Sequence, residues 1–325
     1  MTHRSRFIWL TILLASPIVA FTKDPDYALV QLPGGIGYPL GINERGQIVG
    51  VVTSFAPPFT HAVIWDDGSV VPLFPPPSAA YDINNRGQVV GVAGLGNVLW
   101  DHGTMIDLGE IVPVAINDRG QIVGWITTAT PLQIHAALWE NGTIVDLGVL
   151  PGDSSSSAAA INNRGEIIGG SGSSGVAGRA FIWDKGIMSE LPGLDGQEGQ
   201  DTFASDINNR GQVVGSSGLR PVMWENGIPI PLETLPPPLT NGVASAINNN
   251  GDIVGRLGSP ACSCHVPVLW ENGKAVALPM FPPGSFPNDY YPTDINNGGT
   301  IIGYQQVSEG VSFPRVWVRN AQSAN

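Results

Sequence analysis

The 325-residue chain is poor in charge: Asp, Glu, Lys and Arg together make up 13%, about half the share of an ordinary globular domain. So few ionic side chains leave little to clothe amphipathic surface helices. The formal net charge is −12 at pH 7, whereas nucleic acids and anionic membranes are held by Lys and Arg that neutralise phosphates. Neither is expected as a partner. Cysteine is nearly absent, with two residues, so no disulfide framework carries the fold. Long apolar runs are missing too. The run Phe7–Ala15, broken only by Thr11, spans nine residues, short of the roughly 20 that cross a bilayer as a helix. No G-x-S-x-G, no H-E-x-x-H and no supported Ser-His-Asp grouping occurs, which removes the recognisable hydrolase constellations.

What is abundant is glycine (42), proline (28) and, at 42%, hydrophobic residues. That is the profile of a turn-rich β protein with enough apolar mass for a core. The N-terminus stands apart. His3, Arg4 and Arg6 precede the apolar run, and Ile18-Val19-Ala20 offers a cleavage site. Residues 1–20 therefore read as a secretory signal, leaving a mature chain from Phe21 that is secreted or periplasmic. Loss of Arg4 and Arg6 makes that chain two charges more negative. No cysteine lies near the cut and the C-terminal tail is polar, so no lipid or membrane anchor is expected.

One motif recurs seven times, in hairpins starting near Ile42, Ile83, Ile116, Ile161, Ile207, Ile247 and Ile295, for example INNRGQVVG and INDRGQIVG. Its Asn residues are Asn43, Asn84, Asn117, Asn162, Asn208, Asn248 and Asn296. The mean period of about 42 residues lies in the range of four-stranded propeller blades. Asn opening a type I turn bonds its side chain to backbone two residues on. The following Gly accepts the left-handed conformation of a bulge. Ile and Val on both flanks are strand formers covered on both faces. Each motif is thus a hairpin of strands A and B, and the Asn residues are turn caps.

A second signal follows each hairpin. Trp65, Trp100, Trp139, Trp183, Trp224 and Trp270 open the pattern W-[D/E]-x-G, and Trp317 marks a seventh copy. Sequences such as WENG are two-residue hairpin turns joining strands C and D. A tryptophan at one fixed place per repeat reads as packing between sheets rather than as a sugar platform. Because the chain ends after strand C of the seventh copy, that blade lacks a fourth strand. YALVQL, at Tyr27–Leu32, aligns with the strand D segments. The expected fold is all-β: a single domain over 21–325 forming a seven-bladed propeller of four-stranded antiparallel blades. The N-terminal strand closes its ring by pairing in the last blade. An open β-array is the alternative.

These residues resemble the HAF family of extracellular repeat proteins, named for a His-Ala-Phe tripeptide ahead of the strand C tryptophan. The tripeptide survives here as His61-Ala62-Val63, His135-Ala136-Ala137 and Arg179-Ala180-Phe181, while the other copies depart from it. The resemblance spans essentially the whole mature chain and implies export and repetition. It carries no activity or site residues with it.

Strand order decides where a ligand would sit. The A–B and C–D turns are tight and share one face, whereas the long, variable B–C and D–A connections share the other. The ligand-face candidates are the aromatics Tyr38, Phe55, Phe59, Phe203, Phe286, Tyr290, Tyr291, Tyr304 and Phe313. They suit a glycan or a peptide, and equally plain loop packing. Asp195, Glu198 and Asp201 place three carboxylates in a Gly-rich segment, which would bind calcium weakly at most, and no other cofactor is expected. Cys262-Ser263-Cys264-His265 reads as a local disulfide or two free thiols rather than a metal site. His61, His135 and His265 recur ahead of strand C and could converge on one rim. Gly152-Asp153-Ser154 opens a serine-rich stretch that reads as a flexible linker. The expected function is a secreted, monomeric, non-catalytic binding module. The alternative is a polysaccharide-active enzyme (a glycosidase or lyase) with its site in the central funnel. An acidic pair of perturbed pKa in the funnel would favour the enzyme.

Overall fold

A computed structural model describes residues 26–53, 60–129, 132–173, 178–194, 201–259, 262–281 and 289–320, without the side chains of 262–264. Among the described residues every regular element is a strand. The first described strand is β1 (Tyr27–Gln31). Blade 1 is β2 (Gly37–Ile42), β3 (Ile48–Thr53), β4 (Thr60–Asp66) and β5 (Ser69–Pro72). Blade 2 is β6 (Ser78–Ile83), β7 (Val89–Ala93), β8 (Gly96–Asp101) and β9 (Thr104–Asp107). Blade 3 is β10 (Val112–Ile116), β11 (Ile122–Thr127), β12 (Ile134–Glu140) and β13 (Thr143–Gly148). Blade 4 is β14 (Ser155–Ile161), β15 (Ile167–Gly172), β16 (Arg179–Asp184) and β17 (Ile187–Glu190). Blade 5 is β18 (Thr202–Ile207), β19 (Val213–Ser217), β20 (Arg220–Glu225) and β21 (Ile228–Pro231). Blade 6 is β22 (Asn241–Ile247), β23 (Ile253–Ser259), β24 (Cys262–Glu271) and β25 (Lys274–Ala277). Blade 7 is β26 (Asp289–Ile295), β27 (Ile301–Ser308) and β28 (Val311–Arg319), completed by β1.

That last sheet closes the ring. β1 pairs antiparallel with β28, from Tyr27↔Arg319 to Gln31↔Arg315. Tyr27 is buried at the seam, and its hydroxyl accepts a hydrogen bond from Arg319 Nε at 3.1 Å. The seven-bladed propeller expected from the repeats is therefore the fold, closed by its N-terminal strand.

The turns follow from their residues. In each A–B turn the Gly, such as Gly46 (φ 79°) or Gly165 (φ 88°), is left-handed. In each C–D turn two consecutive residues have positive φ, such as Asn141 (50°) and Gly142 (85°), the two-residue turn that matches strand twist. The second invariant glycine has a different cause. A Cβ on Gly124 would overlap the Val112 carbonyl of the neighbouring strand, and Gly50, Gly91, Gly169, Gly215, Gly255 and Gly303 stand in the same way against theirs. The close approach coincides with a bulge in every inner strand, at Leu40, Tyr81, Val114, Ala159, Ser205, Ser245 and Thr293.

The core is seven separate apolar clusters, one in each cleft between blades. Trp65, Trp224, Trp270 and Trp317 lie buried in them. Their indole N–H groups donate to the Pro33, Pro192, Glu233 and Pro279 carbonyls at 2.6–2.8 Å, each in the segment that follows the preceding blade's outer strand. Trp100, Trp139 and Trp183 are half-buried at the equivalent place.

Candidate functional site

The two faces of the ring differ in chemistry. On the turn face two hydrogen-bond circuits run through all seven blades. In the inner one, each repeat Asn donates its Nδ2–H to the backbone carbonyl of the next repeat Asn, from Asn43 to Asn84 (3.3 Å) round to Asn296 and Asn43 (3.2 Å). The Oδ1 of the same side chain accepts the N–H groups two and four residues on, as Asn208 does from Arg210 and Gln212 at 3.0 Å. In the outer circuit, each residue after the Asn donates its N–H to the side chain of its successor. This runs from Glu44 to Asn85 Oδ1 and returns from Asn297 to the Glu44 carboxylate. Most donors and acceptors of the two circuits are consumed by one another.

Behind these circuits lies the central channel, a cavity of about 590 Å³ lined by the bulged residue of each inner strand. A bulge turns its extra side chain away from the ladder, so the sequence position three before each repeat Asn faces the channel. Three aspartates also line it: Asp82, Asp206 and Asp294. Each bridges two blades. Asp82 accepts the N–H of Ile83 at 2.7 Å and of Ile116 at 2.8 Å. Asp206 accepts from Ile207 and Ile247, and Asp294 from Ile295 and Ile42. Burial pushes the Asp82 carboxyl up to about 7, against the pull of its two N–H donors. Asp206 is raised by burial, and Asp294 is raised well above its ordinary value by burial and by the charges of Asp206 and Asp82. Sequence reasoning missed these acids, although D-I-N in three of seven copies was their signal.

The loop face carries the variation. Beyond the second invariant glycine, each inner blade edge presents one cross-strand pair, and these pairs differ from blade to blade. They are Tyr38/Val51, Ala79/Val92, Val112/Trp125, Ser157/Gly170, Phe203/Ser216, Val243/Arg256 and Tyr291/Tyr304. Three of the aromatic candidates come together there. The Tyr291 and Tyr304 rings stack at 4.8 Å, Tyr38 meets Tyr304 edge-on at 5.1 Å, and the Arg256 guanidinium lies 4.4 Å over Tyr291. Their faces are thus largely spent on one another.

Tyr290 corrects the expectation. It points the opposite way from Tyr291, is 0% exposed, packs on Trp317 and accepts the Phe281 N–H at 3.0 Å. Phe313 is half-buried beside the Arg315 guanidinium at 5.6 Å. Phe203 alone among the described candidates has a largely open ring, 54% exposed. Phe55, Phe59 and Phe286 lie outside the described residues.

Phe203 borders a hollow of about 640 Å³ over blade 4, with Trp125 on its other side. Its floor is the serine-rich stretch read from sequence as a linker. Ser155–Ser157 instead form the start of β14, paired with Gly172, Ser171 and Gly170 of β15. Alternation explains the strand. Ser156 and Ser171 point inward and are buried. Ser156 accepts the Ala136 N–H at 2.8 Å, and Ser171 donates to Asp153 Oδ2 at 2.8 Å. Ser155 and Ser157 line the hollow, and a Cβ on Gly170 would meet nothing within 4 Å. Arg179 at the edge is committed to Asp153 and Glu190, both at 2.8 Å. Trp125 escaped sequence reasoning because, beyond residue 20, it is the one tryptophan that is not at the end of a strand C. It directly follows an invariant glycine, and that placement was the signal.

The remaining candidates do not assemble into one site. Asp195 and Glu198 lie outside the described residues. Asp201 accepts the Gly178 N–H at 2.6 Å. Among the described residues no group of three His, Cys, Asp or Glu could hold a metal. The side chains of Cys262 and Cys264 lie outside the description; their residues sit at the start of β24. His61, His135 and His265 stand in three different blades. His135 pairs with Asp146 at 2.9 Å, and His265 lies against Tyr291 with ring centres 6.2 Å apart.

Neither the family models nor the curated proteins compared with this sequence give a match. Solved structures do. The β-propeller domain of the trilobed protease from Pyrococcus furiosus is similar with a TM-score of 0.55 at 10% identity, over 88% of this chain and 94% of that one. That propeller is described as having an open velcro topology, whereas β1 closes the ring here. A prolyl endopeptidase is similar at 0.54 and 12% identity, over 90% of this chain and 51% of the other. The extracellular domain of a hybrid two-component system from B. thetaiotaomicron gives 0.52 and 13%, over 93% and 42%. This chain therefore spans about half, or less, of those last two. At such identities the likeness is one of fold, and the chain is a β-propeller.

Proposed function

We propose that this chain is an exported, non-catalytic binding module, and that it holds a glycan in the hollow over blade 4. The carrying observation is the pairing of Trp125 with the open Phe203 ring across a shallow cavity floored by serines and glycines. A pyranose has an apolar C–H face and a rim of hydroxyls. Aromatic walls bury the first at about 25 cal/mol per Å², and Ser155, Ser157 and exposed backbone bond the second. Arg179, the cation at its edge, is already paired, which suits an uncharged ligand. The basic, apolar N-terminus and the resemblance to extracellular repeat proteins support export. No cofactor enters this reading.

A glycan array, followed by titration of the best hits, tests it. Trp125→Ala and Phe203→Ala should each weaken binding roughly tenfold, about 1.4 kcal/mol. Unchanged affinity in both variants would place the ligand elsewhere, and binding of peptides with no glycan hit would replace the ligand class. The second reading, a polysaccharide-active enzyme, is favoured by one observation, the three channel aspartates with raised pKa. Against it, both oxygens of each carboxylate are tied to backbone N–H groups. Cleavage of a polysaccharide that disappears in Asp82→Asn would support the enzyme.

A further inference from the structure

A second cavity of about 340 Å³ adjoins the hollow at blade 5, because it is lined by Ser216, the cross-strand partner of Phe203. Arg256, Asn241, Ser259 and His265 line it as well. Arg256 is unlike Arg179. Its guanidinium carbon lies 4.4 Å over the centre of the Tyr291 ring, and it forms no salt bridge or side-chain hydrogen bond with any other described residue. A stacked guanidinium is pre-oriented, and its edge presents parallel N–H donors that match a carboxylate two to two. Contact with Tyr291, itself backed by Tyr304 and Tyr38, restrains the guanidinium, and its N–H groups have no acceptor among the described residues.

Other charged groups face the same place. Asp289 on β26 is the nearby acid, and it is met by donors of its own. It accepts the His265 N–H at 3.2 Å and lies 3.4 Å from the His265 ring, and its charge helps burial to raise the Tyr291 hydroxyl above its ordinary pKa. Its carboxylate is thereby turned towards His265. The protein as a whole carries −12, so a long polyanion would be repelled, while a single carboxylate needs only the local cation, within the ~8 Å screening length of physiological salt.

We infer that the Arg256 cavity is a carboxylate subsite, and that the ligand of this face is a largely neutral glycan bearing one uronic acid. The neutral sugars lie over blade 4 between Trp125 and Phe203, and the uronate carboxylate sits on Arg256 with Asn241 and Ser216 beside it. The inference rests on the glycan reading above.

The test uses the full mature chain and methyl glucuronide, with methyl glucoside and methyl glucuronamide as uncharged counterparts, titrated by NMR at low and high salt. The glucuronide should bind at least tenfold more tightly than either counterpart, and the advantage should shrink in 1 M salt. Arg256→Gln should abolish the advantage, and Arg256→Lys should restore part of it. Trp125→Ala should leave the ratio intact while weakening neutral oligosaccharides. Retention of the parent melting temperature in Arg256→Gln shows that a lost preference is not lost folding. Equal affinity for all three sugars, or a preference that survives Arg256→Gln, overturns the assignment. If neutral oligosaccharides still bind through Trp125 in that case, the hollow over blade 4 stands and only the subsite falls. Absence of binding by every sugar removes both.

Discussion

Asn208→Asp separates two tasks that every repeat Asn performs at once. Asn208 is 4% exposed. Its Oδ1 caps the turn through the N–H groups of Arg210 and Gln212, both at 3.0 Å, and an aspartate keeps those bonds. Its Nδ2 donates to Gln212 Oε1 at 2.8 Å and to the Asn248 carbonyl of the next blade at 3.1 Å. An aspartate replaces that donor with an oxygen aimed at two oxygens. Gln212 cannot rescue it by turning its amide, because its Nε2 donates to Glu225 at 2.9 Å. Leaving a buried carbonyl unpaired costs about 1–3 kcal/mol, and the buried, poorly partnered charge adds to it.

The expected loss is about 3 kcal/mol at pH 7, or roughly 5 °C in melting temperature for a domain of this size. The new carboxyl has its folded pKa raised above the unfolded value of about 3.9, since burial and facing oxygens disfavour the charge. Its penalty is therefore smallest below about pH 4 and grows as pH rises through the folded pKa. Asn208→Ala loses the caps as well and should show no such recovery in acid. Calorimetric melts of parent and both variants at pH 4.5 and 8 decide the matter. Equal melting of Asn208→Asp and parent at both pH values, or identical behaviour of the two variants, would refute the idea that the inter-blade bond matters. Asn162→Asp should be worse than Asn208→Asp, because Nδ2 there faces the Glu166 carboxylate.

The channel aspartates give the parent protein its own pH dependence. With Asp82 pushed up to about 7 and Asp206 and Asp294 also raised, their contribution to stability is greatest below the unfolded pKa near 4. It falls as pH rises through 7, by up to about 4 kcal/mol for Asp82. A melting temperature equal at pH 5 and pH 8 would falsify this, and Asp82→Asn should flatten the slope. Deleting Tyr27–Leu32 strips β28 of its outer partner and should lower the melting temperature sharply and promote aggregation through the bare edge. Moving the segment behind Asn325 through a short linker should restore much of the loss, and a deletion that melts like the parent would sink the closure argument. Mass spectrometry of protein from its native host should find an N-terminus at or near Phe21, and bulk protein retaining Met1 would contradict export.

What the sequence by itself determined was everything local. Seven copies of Asn, Gly and flanking Ile or Val specify seven hairpins, because an Asn cap and a left-handed Gly act within five residues. The Asn-Gly turns after the tryptophans do the same for strands C and D. Even ring closure was legible, since a missing last strand and a surplus first one are both visible in the alignment of copies. Which side chains share a site was not. Tyr290 and Tyr291 are neighbours in sequence, yet strand alternation sends one into the core and the other to the loop face. The bulge in each inner strand shifts that alternation by one residue, so the channel lining at Tyr81 or Thr293 could not be counted from the motif. Asp82 and Ile116, and Asn208 and Asn248, are tens of residues apart and meet only across blades, as Phe203 and Trp125 come to line one hollow. Their partnership exists only once seven sheets are packed side by side, since it is the ring that sets each inner strand against the next.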